Sequence, residues 1–245
     1  MMTTYLVLIT YVNKLWKLEF VSEEKNEVMT ELPFESFCLE ELKEKINVFL
    51  LKYKNKSNKI YFIVESNKYM YKCLEKEYLI LYRNPQLSII KKKDKQNKYY
   101  KVWILNKQVN DRLLAFYSDF NFSLKKIVPA SFYFDIYHHE LSSLYVYIFK
   151  TSVYFMYYSD ESLILTRLIN IDYSEIDLRR VNEKDYQKGY LKYLNGINNA
   201  INIMLRILYN KEIQQVKVIN YNYIIKNDLS NLVEEVSHEK VQIIE

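Results

Sequence analysis

The sequence predicts an internally duplicated α/β protein, and two observations carry this prediction. First, two segments, 5–30 and 144–169, each contain three short runs of β-branched and aromatic residues separated by short polar turns. Such runs are typical of antiparallel meanders. Second, each segment is followed by helical and single-strand patterns in a similar order, which indicates a repeated unit. The clear boundary lies near residues 130–143, so we expect a first half of 1–130 and a second half of 131–245.

In the first half, the meander strands are predicted at 5–11, 15–21 and 27–30. Pro33 and Ser36 precede a helix whose apolar residues recur at three- and four-residue spacing: Leu39, Leu42, Ile46, Phe49 and Leu50. The nearly all-apolar run at 60–64 is typical of a strand buried on both faces. The remaining predictions for this half are a strand at 78–82, a hairpin of 87–90 and 99–105, a helix from about Asn106, and a closing segment at 125–129.

In the second half, the predicted meander strands are 144–150, 153–158 and 163–169. A polar stretch, 172–185, leads into a long helix that ends near Tyr209. A strand at 216–219, a helix capped by Asp228 and a final strand at 241–244 complete the chain.

Composition excludes two classes of nucleotide site. The 245 residues include only two glycines, Gly189 and Gly196, and both lie inside a helical pattern. Loops that wrap phosphates need glycine where the backbone approaches the ligand, so the sequence excludes a P-loop and a glycine-rich dinucleotide loop. The net charge of +5 is mild and interspersed, and it does not require a polyanionic partner.

The cysteines and the hydropathy pattern predict a cytoplasmic chain. Cys38 and Cys73 are isolated, which is typical of reduced thiols. The apolar run at 5–9 is too short for a signal peptide or a membrane span, and no later run is long enough.

Several clusters of polar residues resemble catalytic or metal sites, and each is better explained as solvated surface. Adjacent side chains in a loop diverge, and no third ligand stands at a telling spacing. We therefore predict no metal and no catalytic residue among these candidates: His138, His139, Glu140, His238, Asp160, Glu161, Asp172, Glu175 and Asp177.

Two further patterns leave alternatives open. Lys91–Lys95, near Tyr99, Tyr100 and Trp103, combines basic and aromatic residues as a nucleic-acid site does. A solvated hairpin loop is the favoured explanation, and contact with anionic lipid is a weaker third alternative. The chain also has 25 tyrosines. An exposed tyrosine-rich sheet would be a docking surface, whereas biased codon usage accounts for the same excess: Tyr145, Tyr147, Tyr154, Tyr157 and Tyr158.

The layout resembles the actin-like ATPase fold, and within it the family of the pilus-assembly protein PilM and the cytoplasmic domain of the secretion protein GspL. The segments that carry the likeness are 113–128, 144–169 and 216–241. Nucleotide-binding members have an acidic residue and glycines in the first hairpin of each half, and paired glycines beneath the adenosine. Here those positions hold Thr10–Lys14, Phe149–Ser152 and Asn220–Tyr223, so the resemblance implies a degenerate site with no nucleotide cofactor.

The resemblance implies a function as well as a fold. We expect a non-catalytic cytoplasmic scaffold, peripheral to the inner membrane, in a type II secretion, type IV pilus or competence machine. Its partners would be an inner-membrane assembly protein of the PilN type and the secretion or pilus ATPase, with a homodimer also possible and no nucleic acid. The alternatives are a divergent actin-like or sugar-kinase-like enzyme and a basic nucleic-acid-binding protein.

Overall fold

The structure is a computed structural model that divides into two compact units, Met1–Tyr137 and His138–Glu245. The residue predicted to end the first half, 130, is the first residue of a short helix that belongs to the first unit. The structure describes residues 3–24, 29, 33–53, 58–66, 70–82, 84–93, 99–118, 120, 127–135, 142–159, 162–173, 183–222 and 241–244.

The first unit contains eight strands and three α-helices among its described residues. They are β1 (Thr4–Val12), β2 (Leu15–Ser22), β3 (Phe34–Ser36), α1 (Leu39–Tyr53), β4 (Lys59–Ser66), β5 (Met70–Glu75), β6 (Leu87–Lys93), β7 (Tyr99–Asn106), α2 (Lys107–Ser118), β8 (Ile127–Pro129) and α3 (Ala130–Phe134). A 3₁₀ helix, Lys76–Tyr82, follows β5.

The main sheet of this unit has the order β3-β2-β1-β4-β8. β1 pairs antiparallel with β2 and parallel with β4. α1 packs its predicted apolar stripe against one face of this sheet, and all five stripe residues are buried. Phe49 of α1 stacks on Phe20 of β2 with ring centroids 4.1 Å apart. α2 contributes Leu113 and Phe116 to the same core, and it begins where Asn106 accepts a hydrogen bond from the Gln108 amide, as an N-cap does.

A smaller sheet, of order β5-β7-β6, is inserted between β4 and α2. Two polar contacts tie it to α3 and to Asp135, the residue that follows α3. Trp103 of β7 donates its indole N–H to Ser131, and Lys101 forms a salt bridge of 2.8 Å with Asp135. Because Trp103 and Asp135 are almost fully buried, these contacts fix the inserted sheet against the rest of its unit.

The second unit repeats the main sheet. Its elements are β9 (Ser143–Ile148), β10 (Ser152–Ser159), β11 (Ser162–Asn170), α4 (Glu183–Ile207), β12 (Gln215–Asn220) and β13 (Val241–Ile244), in a sheet of order β11-β10-β9-β12-β13. β9 pairs antiparallel with β10 and parallel with β12, as β1 does with β2 and β4. α4 covers one face through Tyr193, Ile197 and Met204. The duplicated α/β fold, with a meander opening each half, is confirmed.

Three local predictions in the first unit are wrong, and each fails for a reason of pairing. The third meander strand is β3 rather than 27–30, because β3 aligns with β2 and its Glu35 forms a 2.6 Å salt bridge with Lys17. Residues 78–82 lie in the 3₁₀ helix, which follows directly after β5 ends at Glu75 opposite Tyr99. Lys91–Lys93 continue β6 instead of forming a loop, since they pair with Val102, Lys101 and Tyr100.

The predicted strand at 27–30, apart from Met29, and the helix capped by Asp228 lie outside the described residues. Within the part of the chain that the structure describes, no helix is both long enough and apolar enough to cross a membrane.

Candidate functional site

The first hairpin turn, between β1 and β2, is tight and carries side chains throughout. Asn13 and Lys14 have φ of 54° and 67°, the left-handed values that a two-residue hairpin turn requires and that glycine or asparagine usually supply. Both side chains are exposed, and Tyr11 packs on Trp16 with ring centroids 4.3 Å apart. This turn places an asparagine and a lysine where a phosphate-binding turn would present bare backbone.

The second turn, between β9 and β10, is buried. The Phe149 amide donates to the Ser152 carbonyl at 2.9 Å and closes it. Exposure is 1% at Phe149, 8% at Lys150, 2% at Thr151 and zero at Ser152.

A hydrogen-bonded cluster from α4 and the end of β12 occupies the second turn. The Tyr193 hydroxyl lies 2.6 Å from the Lys150 carbonyl oxygen and 3.3 Å from that of Phe149. The same hydroxyl accepts a hydrogen bond from the Asn222 side-chain amide. Tyr193 is 1% exposed and Asn222 is fully buried, so the cluster closes the turn from within the second unit.

The segment after β12 completes this arrangement. The Tyr221 amide donates to the Ile148 carbonyl at 2.9 Å, and the Tyr221 ring stacks on Phe149 with centroids 5.3 Å and planes 3° apart. In the resembled family, glycines at this point leave room for an adenosine. Here the aromatic ring of Tyr221 lies directly against the turn.

One carboxylate near the first turn carries no recognisable signal in the sequence. Glu65, on β4, is aligned with Thr10 of β1 and is 5% exposed. One of its carboxylate oxygens accepts a hydrogen bond from the Ser66 amide, and the Ser66 hydroxyl donates a hydrogen bond to the Tyr11 carbonyl. Only the register between β1 and β4 brings Glu65 beside Thr10, which lies 55 residues earlier in the chain. No local sequence motif predicts this proximity.

A Mg²⁺-nucleotide fits these residues poorly. Hard cations need several oxygen ligands, and phosphates need converging free N–H groups. The described residues of the two turns include no carboxylate, and the second turn directs its carbonyls to Tyr193. Among the described residues, no group of three or more His, Cys, Asp and Glu side chains is placed to hold a metal ion.

The tyrosine-rich meander is not an exposed docking surface. Tyr145, Tyr147, Tyr154, Tyr157 and Tyr158 are all between 1% and 4% exposed. Tyr157 donates to the Glu212 carbonyl at 2.9 Å, and Lys217 donates to the Tyr145 hydroxyl at 3.1 Å. The interpretation of these side chains as an exposed partner-binding face is wrong, because all five are buried.

The basic and aromatic residues of the nucleic-acid alternative differ in exposure, because Lys91 and Lys93 are on the surface and Trp103 is buried. Lys91 and Lys93 are exposed on the edge strand β6, and the Lys91 ammonium lies 5.9 Å from the Tyr100 ring centroid. Trp103 is 1% exposed and packs against Phe132, so it is not available to stack on a base. Lysines on an edge strand discourage pairing with another chain, which explains them without a nucleic acid.

Of the remaining candidates, Asp172 lies on the surface just after β11, and Cys38 is an exposed free thiol that contacts Glu40 at 2.8 Å. Asp172 directly follows Ile171, whose amide donates to the Thr151 carbonyl of the second turn, whereas Cys38 lies just before α1. The other polar candidates lie outside the described residues: His138, His139, Glu140, His238, Asp160, Glu161, Glu175 and Asp177.

With this geometry established, solved structures provide a comparison. A PilM–PilN type IV pilus biogenesis complex matches 96% of this chain and 87% of that chain, with a TM-score of 0.60 and 8% identity. The fold is that of the actin-like ATPases. A Bacteroides thetaiotaomicron protein with actin-like ATPase fold and unknown function matches 98% of this chain and 90% of its own, with a TM-score of 0.46 and 14% identity.

The ethanolamine utilization protein EutJ from Carboxydothermus hydrogenoformans matches 98% of this chain and 84% of its own, with a TM-score of 0.46 and 9% identity. No protein-family model and no curated protein sequence matches the chain. Likenesses at such identities extend to the fold and leave activity to be argued from the site.

Proposed function

We propose that this protein is a non-catalytic scaffold of a type IV pilus, type II secretion or competence machine, acting at the cytoplasmic side of the inner membrane. The observation that carries the proposal is the closed second turn. The Tyr193 hydroxyl donates to the Lys150 carbonyl of this turn and accepts a hydrogen bond from Asn222, and Tyr221 stacks on Phe149 of the turn. A fold that keeps its sheets while its second nucleotide turn is filled retains surfaces for docking and loses the means of phosphoryl transfer.

The choice of machine rests on the fold likeness to the PilM–PilN complex. By that analogy, one partner of this chain is an inner-membrane assembly protein. The family resemblance of the sequence adds the pilus or secretion ATPase as a second proposed partner. A homodimer is a further possibility of the same kind. Docking of this sort needs backbone donors and apolar pockets, and no catalytic group.

Calorimetric titration of the intact protein with ATP and Mg²⁺ tests the non-catalytic proposal. We expect no binding in the low micromolar range, which corresponds to about −8 kcal/mol. The variant Glu65→Gln gives the sharpest comparison, since Glu65 is the carboxylate aligned with Thr10. Micromolar Mg²⁺-dependent binding that Glu65→Gln abolishes would overturn the proposal and restore an enzymatic function.

Co-purification from native membranes tests the partner assignment. We expect a single-span membrane protein or a secretion ATPase, encoded near this chain, to be recovered. Recovery of DNA or RNA instead, with binding that weakens as salt rises, would contradict the scaffold proposal.

A further inference from the structure

The two main sheets differ at the edge formed by the third strand of each meander. In the first unit the meander edge is β3, only three residues long and preceded by Pro33. In the second unit it is β11, nine residues long. Short edge strands, prolines and lysines prevent edge pairing, and β11 contains neither proline nor lysine.

The other sheet edges in the described part of the chain are protected. β8 has three residues and ends in Pro129, and β13 has four residues. In the three-stranded sheet, edge strand β5 carries the exposed Lys72 and edge strand β6 ends in Lys91–Lys93. The bulge of β11 lies near its start, opposite Tyr157 and Tyr158, so the ladder is regular from Leu165 to Asn170. β11 is therefore the longest sheet edge among the described residues.

The hydrogen-bond ladder determines which backbone groups of β11 face outward. The Ile171 amide donates to the Thr151 carbonyl at 2.9 Å, which sets the phase of the β10–β11 pair. Because hydrogen-bonded pairs alternate along antiparallel strands, Ile169, Arg167 and Leu165 direct their backbone groups toward β10. The alternate residues therefore direct theirs away from the sheet: Thr166, Leu168 and Asn170.

Arg167 adds a chemical preference to this edge. It is the one charged residue of β11, its side chain is exposed, and it forms no ion pair within the described residues. Leu165 and Ile169 flank it and pack on the core of the unit. An added antiparallel strand would face Arg167 at a non-hydrogen-bonded pair, where opposite side chains approach most closely.

We propose that the outer edge of β11 binds an extended, largely apolar peptide segment of a partner protein as an added antiparallel strand, with an acidic residue opposite Arg167. The existence of a partner rests on the proposed docking function, and the place of binding rests on the sheet itself. Main-chain hydrogen bonds to Thr166, Leu168 and Asn170 supply the affinity, and Arg167 supplies the selectivity.

Charge argues against a second copy of this chain as the occupant. A two-fold axis through Thr166 or through Leu168 would bring the two Arg167 side chains to diagonal positions on one face of the joined sheet. Like charges at such neighbouring positions disfavour pairing. A partner segment that carries a carboxylate therefore complements the β11 edge better than a second copy of β11 does.

Amide hydrogen exchange followed by NMR on the full chain tests this inference. The probe is a synthetic peptide of alternating valine and threonine with one central glutamate, and the matched peptide has lysine in that place. We expect the glutamate peptide to slow exchange at the Thr166 and Leu168 amides and to bind about fivefold more tightly than the lysine peptide. Protection of these amides without peptide, or protection that grows with protein concentration, would overturn the proposal in favour of another segment of the chain or a second copy.

Two variants make the test specific. Thr166→Pro removes an outward N–H, which edge strands tolerate, so it should abolish peptide binding while the β10–β11 ladder persists. Arg167→Glu should reverse the preference toward the lysine peptide, whereas Arg112→Glu, an equally exposed charge reversal on α2, should leave the preference unchanged. Equal binding of both peptides to every variant would overturn this inference alone. ATP binding by the intact chain would overturn the proposed scaffold function and leave the edge result intact.

Discussion

At the scale of single residues, two of the most consequential positions are those where helix α4 meets the second sheet. Tyr193 bonds to the buried turn, and Gly196 allows the helix to approach closely. A Cβ at Gly196 would lie 2.7 Å from the Cγ2 methyl of Ile171, which is 4% exposed. Gly196, which the sequence shows only as a glycine in a helical pattern, is therefore a packing residue.

Gly196→Ala should destabilise the protein although alanine favours helix. Overpacking costs about 1–3 kcal/mol, and the gain in helix propensity is about 1 kcal/mol. We expect a net loss of about 1 kcal/mol in the free energy of unfolding, measured by urea denaturation. In an Ile171→Ala background the contact is absent, so the same substitution should stabilise by about 1 kcal/mol. A loss of equal size in both backgrounds would contradict the role assigned to Ile171.

Glu23 predicts a pH dependence of stability. Burial raises the pKa of Glu23 above its ordinary value of 4.5, and the hydrogen bond from Tyr133, of 2.9 Å, opposes this shift. Because the folded state favours the protonated form, the contribution of Glu23 to stability should be fully present below the ordinary pKa and should be lost as pH rises through the raised pKa. Urea midpoints measured upward from about pH 4 should show this fall, and Glu23→Gln should remove it.

Tyr133→Phe serves as the companion variant. Loss of the hydroxyl removes the interaction that lowers the pKa of Glu23, so the fall in stability should move to higher pH. If Glu23→Gln retains the pH profile of the natural protein, another group is responsible.

At the scale of elements, the edge strands show how similar units acquire different surfaces. β6 carries exposed Lys91 and Lys93, whereas β11 carries only Arg167 among largely apolar neighbours. The lysines are thus explained by protection of an edge. The basic run by itself is compatible with nucleic-acid binding, because the sequence does not show that these lysines lie on an edge strand.

Replacing Lys91, Lys92 and Lys93 together by glutamine should leave association with the membrane partner largely intact. The reason is that solvated charges on a protected edge contribute little to a docking surface elsewhere. Recovery of the partner from native membranes is the measurement. A variant with Lys107, Lys188 and Lys211 changed to glutamine removes the same charge from other exposed positions and serves as control. Selective loss of salt-sensitive DNA or RNA binding in the first variant would support the nucleic-acid alternative.

At the scale of the whole molecule, each unit has its own hydrophobic core. One core joins α1 and α2 to the first sheet, and the other joins α4 to the second. Leu42 and Leu144 are both fully buried, one in each core. Their matched environments allow the stability of each unit to be perturbed separately.

Leu42→Ala should lower protection from hydrogen exchange mainly in the first unit, and Leu144→Ala mainly in the second. Each substitution removes a buried leucine side chain, which costs about 2–5 kcal/mol. Exchange measured by mass spectrometry on the full chain distinguishes the units. Equal loss of protection in both units from either variant would show that they unfold as one cooperative body.

The sequence by itself determined the elements whose signal is local. Runs of β-branched and aromatic residues indicated β1, β2, β9, β10 and β11, and the spacing of Leu39 to Leu50 indicated α1, because side-chain periodicity follows directly from backbone geometry. The repetition of these signals was enough to predict the duplicated fold.

Only the tertiary structure decided the features that depend on partners distant in the chain. β3 is a strand because β2 lies beside it, and Glu65 meets Thr10 because β1 and β4 run parallel in register. The second turn is closed because α4 carries Tyr193 to it, 43 residues beyond Lys150. Pairing across such separations depends on how sheets and helices assemble, which no local pattern of residues encodes.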